Sequence, residues 1–239
     1  LDGTGDTQNW ITGCSGPYGI AVNGTHVYWT NYNRSTMGRA DLNGTNPNQT
    51  WISGFAGPLG IAVDGTYVYW ANYWNDTIGR ANLDGTGATH NWIMGCNGPS
   101  GVAVDGTYVY WTNYYDDTIG RADLNYPDTP TQDWIKKCFS PDGIAVDGTY
   151  VYWANYETNT IGRANLDGTG TPTQDWITGC DQPAGVAVDG TYVYWANYWP
   201  NKIGRADLNH PDTPKQDWID GCFGPDGIAL TPAPTITSF

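Results

Sequence analysis

Gly60-Ile61-Ala62-Val63-Asp64-Gly65-Thr66-Tyr67-Val68-Tyr69-Trp70-Ala71-Asn72-Tyr73-Trp74-Asn75-Asp76-Thr77-Ile78-Gly79-Arg80-Ala81-Asn82-Leu83-Asp84-Gly85 is the stretch whose reading decides the fold. Its β-branched and aromatic runs are cut by turn residues at intervals too short for helices, so it reads as strands. Strand A is Gly60 to Val63, strand B Tyr67 to Tyr73 and strand C Thr77 to Leu83, and the segment around Trp92 supplies strand D. Asp64-Gly65 joins A to B and Asp84-Gly85 joins C to D, both able to take the positive φ of tight hairpins. The unit is a four-stranded antiparallel meander.

Read outward, the unit repeats. Tyr69-Trp70 has counterparts at Tyr28-Trp29, Tyr110-Trp111, Tyr152-Trp153 and Tyr194-Trp195, in steps of 41, 41, 42 and 42. Gly-Ile/Val-Ala recurs from Gly19, Gly60, Gly101, Gly143, Gly185 and Gly227; Gly-Arg-Ala recurs around Arg39, Arg80, Arg121, Arg163 and Arg205. A Trp ladder runs through Trp10, Trp51, Trp92, Trp134, Trp176 and Trp218. One meander cannot bury both of its faces, so the units must pack on one another, and radial packing into a β-propeller suits this period.

Val27-Tyr28-Trp29-Thr30-Asn31, Ile78-Gly79-Arg80-Ala81-Asn82-Leu83-Asp84-Gly85 and Gly57-Pro58-Leu59-Gly60-Ile61-Ala62-Val63-Asp64 resemble the YWTD repeat of the low-density lipoprotein receptor class of propellers. The likeness spans residues 1–230 and recurs in every unit. Where that pattern ends in Asp, this chain has Asn31, Asn72, Asn113, Asn155 and Asn197, which implies that a carboxylate-based contact is lost. The resemblance implies six blades. Five complete units run from Gly19 to Trp218; a sixth, incomplete blade would take strand D from Trp10 and strand A from Gly227, with Thr235 to Phe239 as a further strand. A five-bladed ring is the alternative, and completion of an open blade by another chain is a third arrangement. The expected fold class is therefore all-β: a propeller over 1–230 in repeats of 41–42 residues, with 231–239 as a Pro/Thr-rich linker or partial closing strand. That tail resembles the segment opening immunoglobulin-like domains of large bacterial surface proteins. The tail makes neighbouring domains of a longer chain an expectation, and Leu1-Asp2-Gly3-Thr4, which matches the middle of later repeats, makes a leader or earlier segment ahead of it another.

Composition narrows the function. The chain has 239 residues with 24 Asp+Glu against 10 Lys+Arg, a formal charge of −14, which makes nucleic acid a poor partner. No apolar run reaches membrane-spanning length, so membrane insertion is not expected. Cys14, Cys96, Cys138, Cys180 and Cys222 share one repeat position, and Phe55 fills it in the second unit. An apolar buried slot explains both residue types, and buried thiols are favoured over disulfides or zinc ligands. His26, His90 and His210 occupy unrelated repeat positions. Without a His or metal constellation an enzyme of the lactonase or lyase sort ranks third, and neither catalytic residues nor a cofactor or metal are expected. One Arg per blade at a fixed strand position reads as a recurrent hydrogen bond to the next loop or blade.

The rim carrying the A–B and C–D turns is monotonous, whereas the rim of B–C and D–A loops varies from unit to unit. Each B–C loop opens with Asn-Tyr and then diversifies, and the residue after the D–A proline changes through Tyr18, Leu59, Ser100, Asp142, Ala184 and Asp226. Exposed aromatic rings beside carboxylates suit ligand recognition. The candidate ligand-binding residues are Trp74, Tyr115, Trp199, Tyr18, Asp76, Asp116, Asp117, Asp142, Glu157 and Asp226. Two functions follow. The first is a non-catalytic extracellular or cell-surface module that recognises a protein segment or glycan through this rim; the second is a structural or adhesive spacer without a ligand.

Overall fold

The computed structural model of the protein describes residues 10–199 and 201–231. Its strands form five antiparallel four-stranded sheets, each made of consecutive strands. Blade one holds β1 (Pro17–Val22), β2 (His26–Asn31), β3 (Thr36–Asp41) and β4 (Asn48–Ser53); blade two holds β5 (Pro58–Val63), β6 (Tyr67–Asn72), β7 (Thr77–Asn82) and β8 (Thr89–Met94). Blade three is β9 (Pro99–Val104), β10 (Tyr108–Asn113), β11 (Thr118–Asp123) and β12 (Tyr126–Lys136). Blade four is β13 (Pro141–Val146), β14 (Tyr150–Asn155), β15 (Thr160–Asn165) and β16 (Thr173–Ile177), and blade five is β17 (Pro183–Val188), β18 (Tyr192–Asn197), β19 (Lys202–Asp207) and β20 (His210–Ile219). The innermost strands β1, β5, β9, β13 and β17 pack side by side around a central channel.

The Tyr-Trp pair explains why every blade needs both residues. Successive side chains of a strand point to opposite faces, so Tyr69 joins the core shared with blade three while Trp70 joins the core shared with blade one. The indole of each Trp lies across its cross-strand partner on the third strand, as Trp111 does opposite Gly120. A Cβ there would stand 2.2 Å from the ring. The indole nitrogens of Trp29, Trp111, Trp153 and Trp195 donate to Gln49, Gln132, Gln174 and Gln216. In blade two His90 stands in the Gln position and Phe55 in the Cys slot, and Phe55 packs edge-on against both His90 and Trp70. Cys96, Cys138 and Cys180 are buried thiols in that slot, their pKa pushed up to about 12 by burial. Cys14 and Cys222 are half-buried.

The arginines tie blades together. Arg39 and Arg121 donate to the Leu83 and Leu166 carbonyls one blade on. The guanidinium groups of Arg80, Arg121, Arg163 and Arg205 lie over a Tyr and a Trp ring at once, for example 4.5 Å from Tyr108 and 4.4 Å from Trp134 for Arg121. The asparagines do more than replace a carboxylate. Asn113 is buried, donates from Nδ2 to Thr118 Oγ1 and the Gln132 carbonyl, and accepts from the Asn97 amide at Oδ1. Asn155 repeats the pattern with Thr160, Gln174 and Phe139. A carboxylate could not supply the two donations.

The six-blade expectation is corrected: the described residues form five four-stranded blades. Trp10 and Ile11 belong to no strand, and neither do residues 220–231. The proposed strand at Thr235 to Phe239 lies outside the described residues, as does the whole stretch before Trp10. The physical reason is that residues 1–239 hold no sixth Tyr-Trp and no sixth Gly-Arg-Ala segment, so among the described residues the Gly-Ile-Ala segment at Gly227 joins no sheet. The segment nonetheless sits between blades five and one. Gly185 N donates to the Asp226 carbonyl at 2.7 Å, and a Cβ on Gly227 would stand 2.4 Å from the Tyr18 carbonyl. Ile11 and Cys14 pack on the outward face of blade one, over Val27 and Trp29.

Glycine sets the width of the channel. A Cβ would stand 2.4 Å from the Ser100 carbonyl at Gly60, 2.4 Å from the Asp142 carbonyl at Gly101 and 2.3 Å from the Ala184 carbonyl at Gly143. Gly101→Ala should therefore force the third and fourth blades apart and cost about 3 kcal/mol in chemical denaturation, the upper range of overpacking. Gly65→Ala, where a Cβ meets nothing within 4 Å, should change stability by less than about 0.5 kcal/mol. Equal costs at the two positions would refute the close-approach argument.

Candidate functional site

The channel opens into a funnel on the rim of the B–C and D–A loops, a cavity of about 500 Å³. Its wall is a ring of five half-buried tyrosines, Tyr32, Tyr73, Tyr114, Tyr156 and Tyr198, one from each blade. Each immediately follows the last Asn of its second strand, and that Asn is buried, so the chain leaves the sheet from a pinned point and delivers the next side chain over the channel. The Tyr73 and Tyr114 amides donate to the Gly57 and Gly98 carbonyls of the loop entering the same blade.

The floor comes from the residues after the prolines: Tyr18, Leu59, Ser100, Asp142, Ala184 and Asp226. Each precedes a close-approach glycine, so the constraint that narrows the channel also gathers these side chains. Thr30 and Thr112 hydroxyls fix the backbone beneath, donating to the Leu59 and Asp142 carbonyls at 2.7 Å. Asp142 is buried, accepts from Tyr18 Oη at Oδ2 over 2.7 Å and accepts from Ser100 Oγ at Oδ1. Burial raises its pKa, a rise that the Ser100 and Tyr18 donors offset only in part. Asp226 is half-buried, and its carboxyl is pushed up to about 7, first by burial and then by the neighbouring Asp142 charge. The same burial, with the Asp142 charge, raises the Tyr18 phenol well above its usual range. Two acidic side chains thus share a low-polarity neck, and none of the residues lining the funnel is basic.

Of the residues singled out in the sequence, Tyr18, Trp74, Asp142 and Asp226 line the funnel. Trp74, Tyr115 and Trp199 are exposed on its outer lip, each edge-on to the preceding ring tyrosine. Tyr115 Oη also lies 2.5 Å from Tyr73 Oη. Asp76 and Asp117 adopt positive φ and accept from the Gly98 and Ser140 amides at 2.8 Å, and so staple one blade to the next loop. Asn159 and Asn201 do the same in blades four and five. Asp116 accepts from Asn97 Nδ2 on an exposed outer loop, and Glu157 is exposed. The structure therefore brings Tyr18, Asp142 and Asp226 together and places Asp76, Asp116, Asp117 and Glu157 away from them. Sequence reasoning passed over the five ring tyrosines because they are invariant between repeats. The available signal was that an otherwise diversifying loop always opens with Tyr.

No family model matches the chain, and a search of curated proteins finds no match. Solved structures do resemble it. A chain of the nidogen/laminin complex superposes with a TM-score of 0.74 at 23% identity, covering 89% of this chain and 84% of that one. A gluconolactonase from Xanthomonas campestris gives 0.72 at 16% identity over 91% and 80%, and a streptogramin B lyase 0.65 at 20% over 82% and 67%. At these identities the likeness establishes the fold, and the chain is an all-β propeller. It also corrects the exclusion of catalysis. The fold includes a lyase and a lactonase, so the lack of a recognisable His ladder in the sequence does not exclude enzyme activity.

Asp226 gives the site a pH signature. An exposed Asp ionises near about 3.9 in an unfolded chain, whereas the folded carboxyl keeps its proton up to about 7. The raised pKa stabilises the fold below about 4, and that contribution is lost as pH rises through 7. Asp226→Asn should therefore gain melting temperature relative to the parent chain between pH 4 and pH 8. A difference independent of pH would contradict the raised pKa.

Proposed function

We propose that this chain is an extracellular or cell-surface recognition module, a bacterial-exoprotein-like member of the YWTD propeller class, and that it holds a protein segment in the tyrosine funnel. The observation that carries this reading is the ring of five tyrosines around an uneven floor. Identical rings supply rigid contact area with a hydrogen-bonding tip. The six floor residues range from aromatic Tyr18 through aliphatic Leu59 and Ala184 and hydroxyl-bearing Ser100 to acidic Asp142 and Asp226, so a ligand would be read by position around the ring. A cavity of about 500 Å³ falls in the range usual for binding sites. The likeness to a chain of the nidogen/laminin complex agrees with a protein partner. Trp74, Tyr115 and Trp199 are proposed as outer anchors, packed against the ring tyrosines and open to solvent. No helix among the described residues is long and apolar enough to cross a membrane.

The test is to pan the protein against a random twelve-residue peptide library on phage and to probe a glycan array in parallel. Peptides should be enriched, and Tyr114→Ala with Tyr156→Ala should weaken them by about 2 kcal/mol or more, the cost of truncating true anchors. Trp74→Ala with Trp199→Ala should weaken binding in the same direction while leaving thermal stability nearly unchanged. Binding of glycans alone, or peptides indifferent to the tyrosines, would overturn the reading.

A further inference from the structure

The funnel is chemically asymmetric along its axis. Its mouth is aromatic, with five phenol rings, and its neck is acidic, with Asp142 and Asp226. The two carboxylates are not equivalent. Both oxygens of Asp142 are engaged, by Tyr18 and by Ser100. The Asp226 carboxylate accepts no hydrogen bond among the described residues, although its backbone carbonyl is fixed by the Gly185 amide. It is thus a positioned acceptor with free lone pairs at the bottom of a cavity. Around it are Asp142 on β13 and Tyr18 on β1, with Tyr156 and Tyr198 above; no Lys, Arg or His lines the space. A neutral apolar ligand would leave this acceptor desolvated and unmatched, and an acidic one would add repulsion. A cation satisfies it, and the aromatic faces along the way favour a cation too.

We propose that the neck takes the charged end of a lysine or arginine side chain borne by the bound protein segment, with its methylenes passing between the tyrosine rings and its cationic head meeting Asp226. This rests on the funnel being a peptide-binding site and assigns the residue that enters it. Amphipathic stems with a charged tip fit such a gradient, since the methylenes pack on apolar surface while the head reaches a polar end. Asp142 acts through the field it shares with Asp226, and the Tyr18 and Ser100 donors hold it in place. Binding should tighten with pH, because Asp226 gains its charge as pH rises through about 7 while lysine and arginine remain protonated.

The experiment uses the same phage-selected twelve-residue peptides. Sequencing should show a Lys or Arg at one fixed position. A synthetic copy of the best peptide with that residue changed to norleucine should bind at least tenfold more weakly. Asp226→Asn should erase the difference between the two peptides, and titration from pH 5.5 to pH 8.5 should strengthen binding of the basic peptide to the parent chain but not to Asp226→Asn. The melting curve of Asp226→Asn verifies that it is folded. Selection of peptides without a fixed basic residue, or a norleucine penalty that survives in Asp226→Asn, would overturn this inference while leaving peptide recognition intact. Failure to select any peptide would overturn both. A preference for Lys over Arg, or the reverse, would show whether a compact ammonium or a planar guanidinium fits the neck, and either supports the proposal.

Discussion

The structure depends on backbone meeting backbone at the channel wall. At Gly60, Gly101, Gly143 and Gly185 the innermost strand of one blade lies so close to the next inner segment that a single methyl group would overlap a carbonyl oxygen. Burial at the outer part of each interface pulls the blades together. The glycines decide how far that attraction can proceed. They let the strands converge until the residues just before them face one another across a narrow neck, and the floor of the funnel is made of those residues. Fold and site are thus consequences of one steric allowance repeated around an axis.

Around this constraint the blade divides its labour by position. Side chains of the Tyr-Trp pair serve opposite interfaces, Arg39 and Arg121 reach carbonyls one blade on while the guanidinium groups lie over aromatic faces of their own blade, and the buried asparagines hold loop and strand together with donors that aspartate lacks. The Asp-Gly-Thr turns on the far rim are equally occupied. Asp64 accepts from the Thr66 and Tyr67 amides and from Tyr69 Oη, and Asp105, Asp147 and Asp189 repeat this in their blades. The carboxylates of that rim are spent on folding. Those at the neck are held in a low-polarity site where charge is costly, and the mouth above them is open.

The strand order, the turns and the blade period were legible in the sequence because each is a local signal repeated five times. The number of blades was not. A resemblance and one leftover Gly-Ile-Ala segment suggested a sixth, but a sheet needs partner strands, and the described residues supply none for that segment. At the site, Tyr18, Asp142 and Asp226 could be picked out because variation at a fixed repeat position is visible along the chain. Asp76 and Asp117 look identical to them by that criterion, yet their carboxylates accept backbone amides 22 and 23 residues away. The five ring tyrosines were hidden by their own regularity: invariance marks both packing and a symmetric site, and only coordinates separate the two. The likeness to a lyase and a lactonase likewise could not be read from His spacing.

The central claim is that the funnel framed by the five tyrosines and closed by Asp226 is where this propeller meets its ligand. The most direct measurement is a crystal structure of the protein with a selected peptide bound. The account predicts peptide density between the tyrosine rings, with one side chain descending to within hydrogen-bonding distance of the Asp226 carboxylate. A peptide seated on the rim of Asp-Gly-Thr turns, or along the outer edge of a blade with the funnel filled only by solvent, would contradict it.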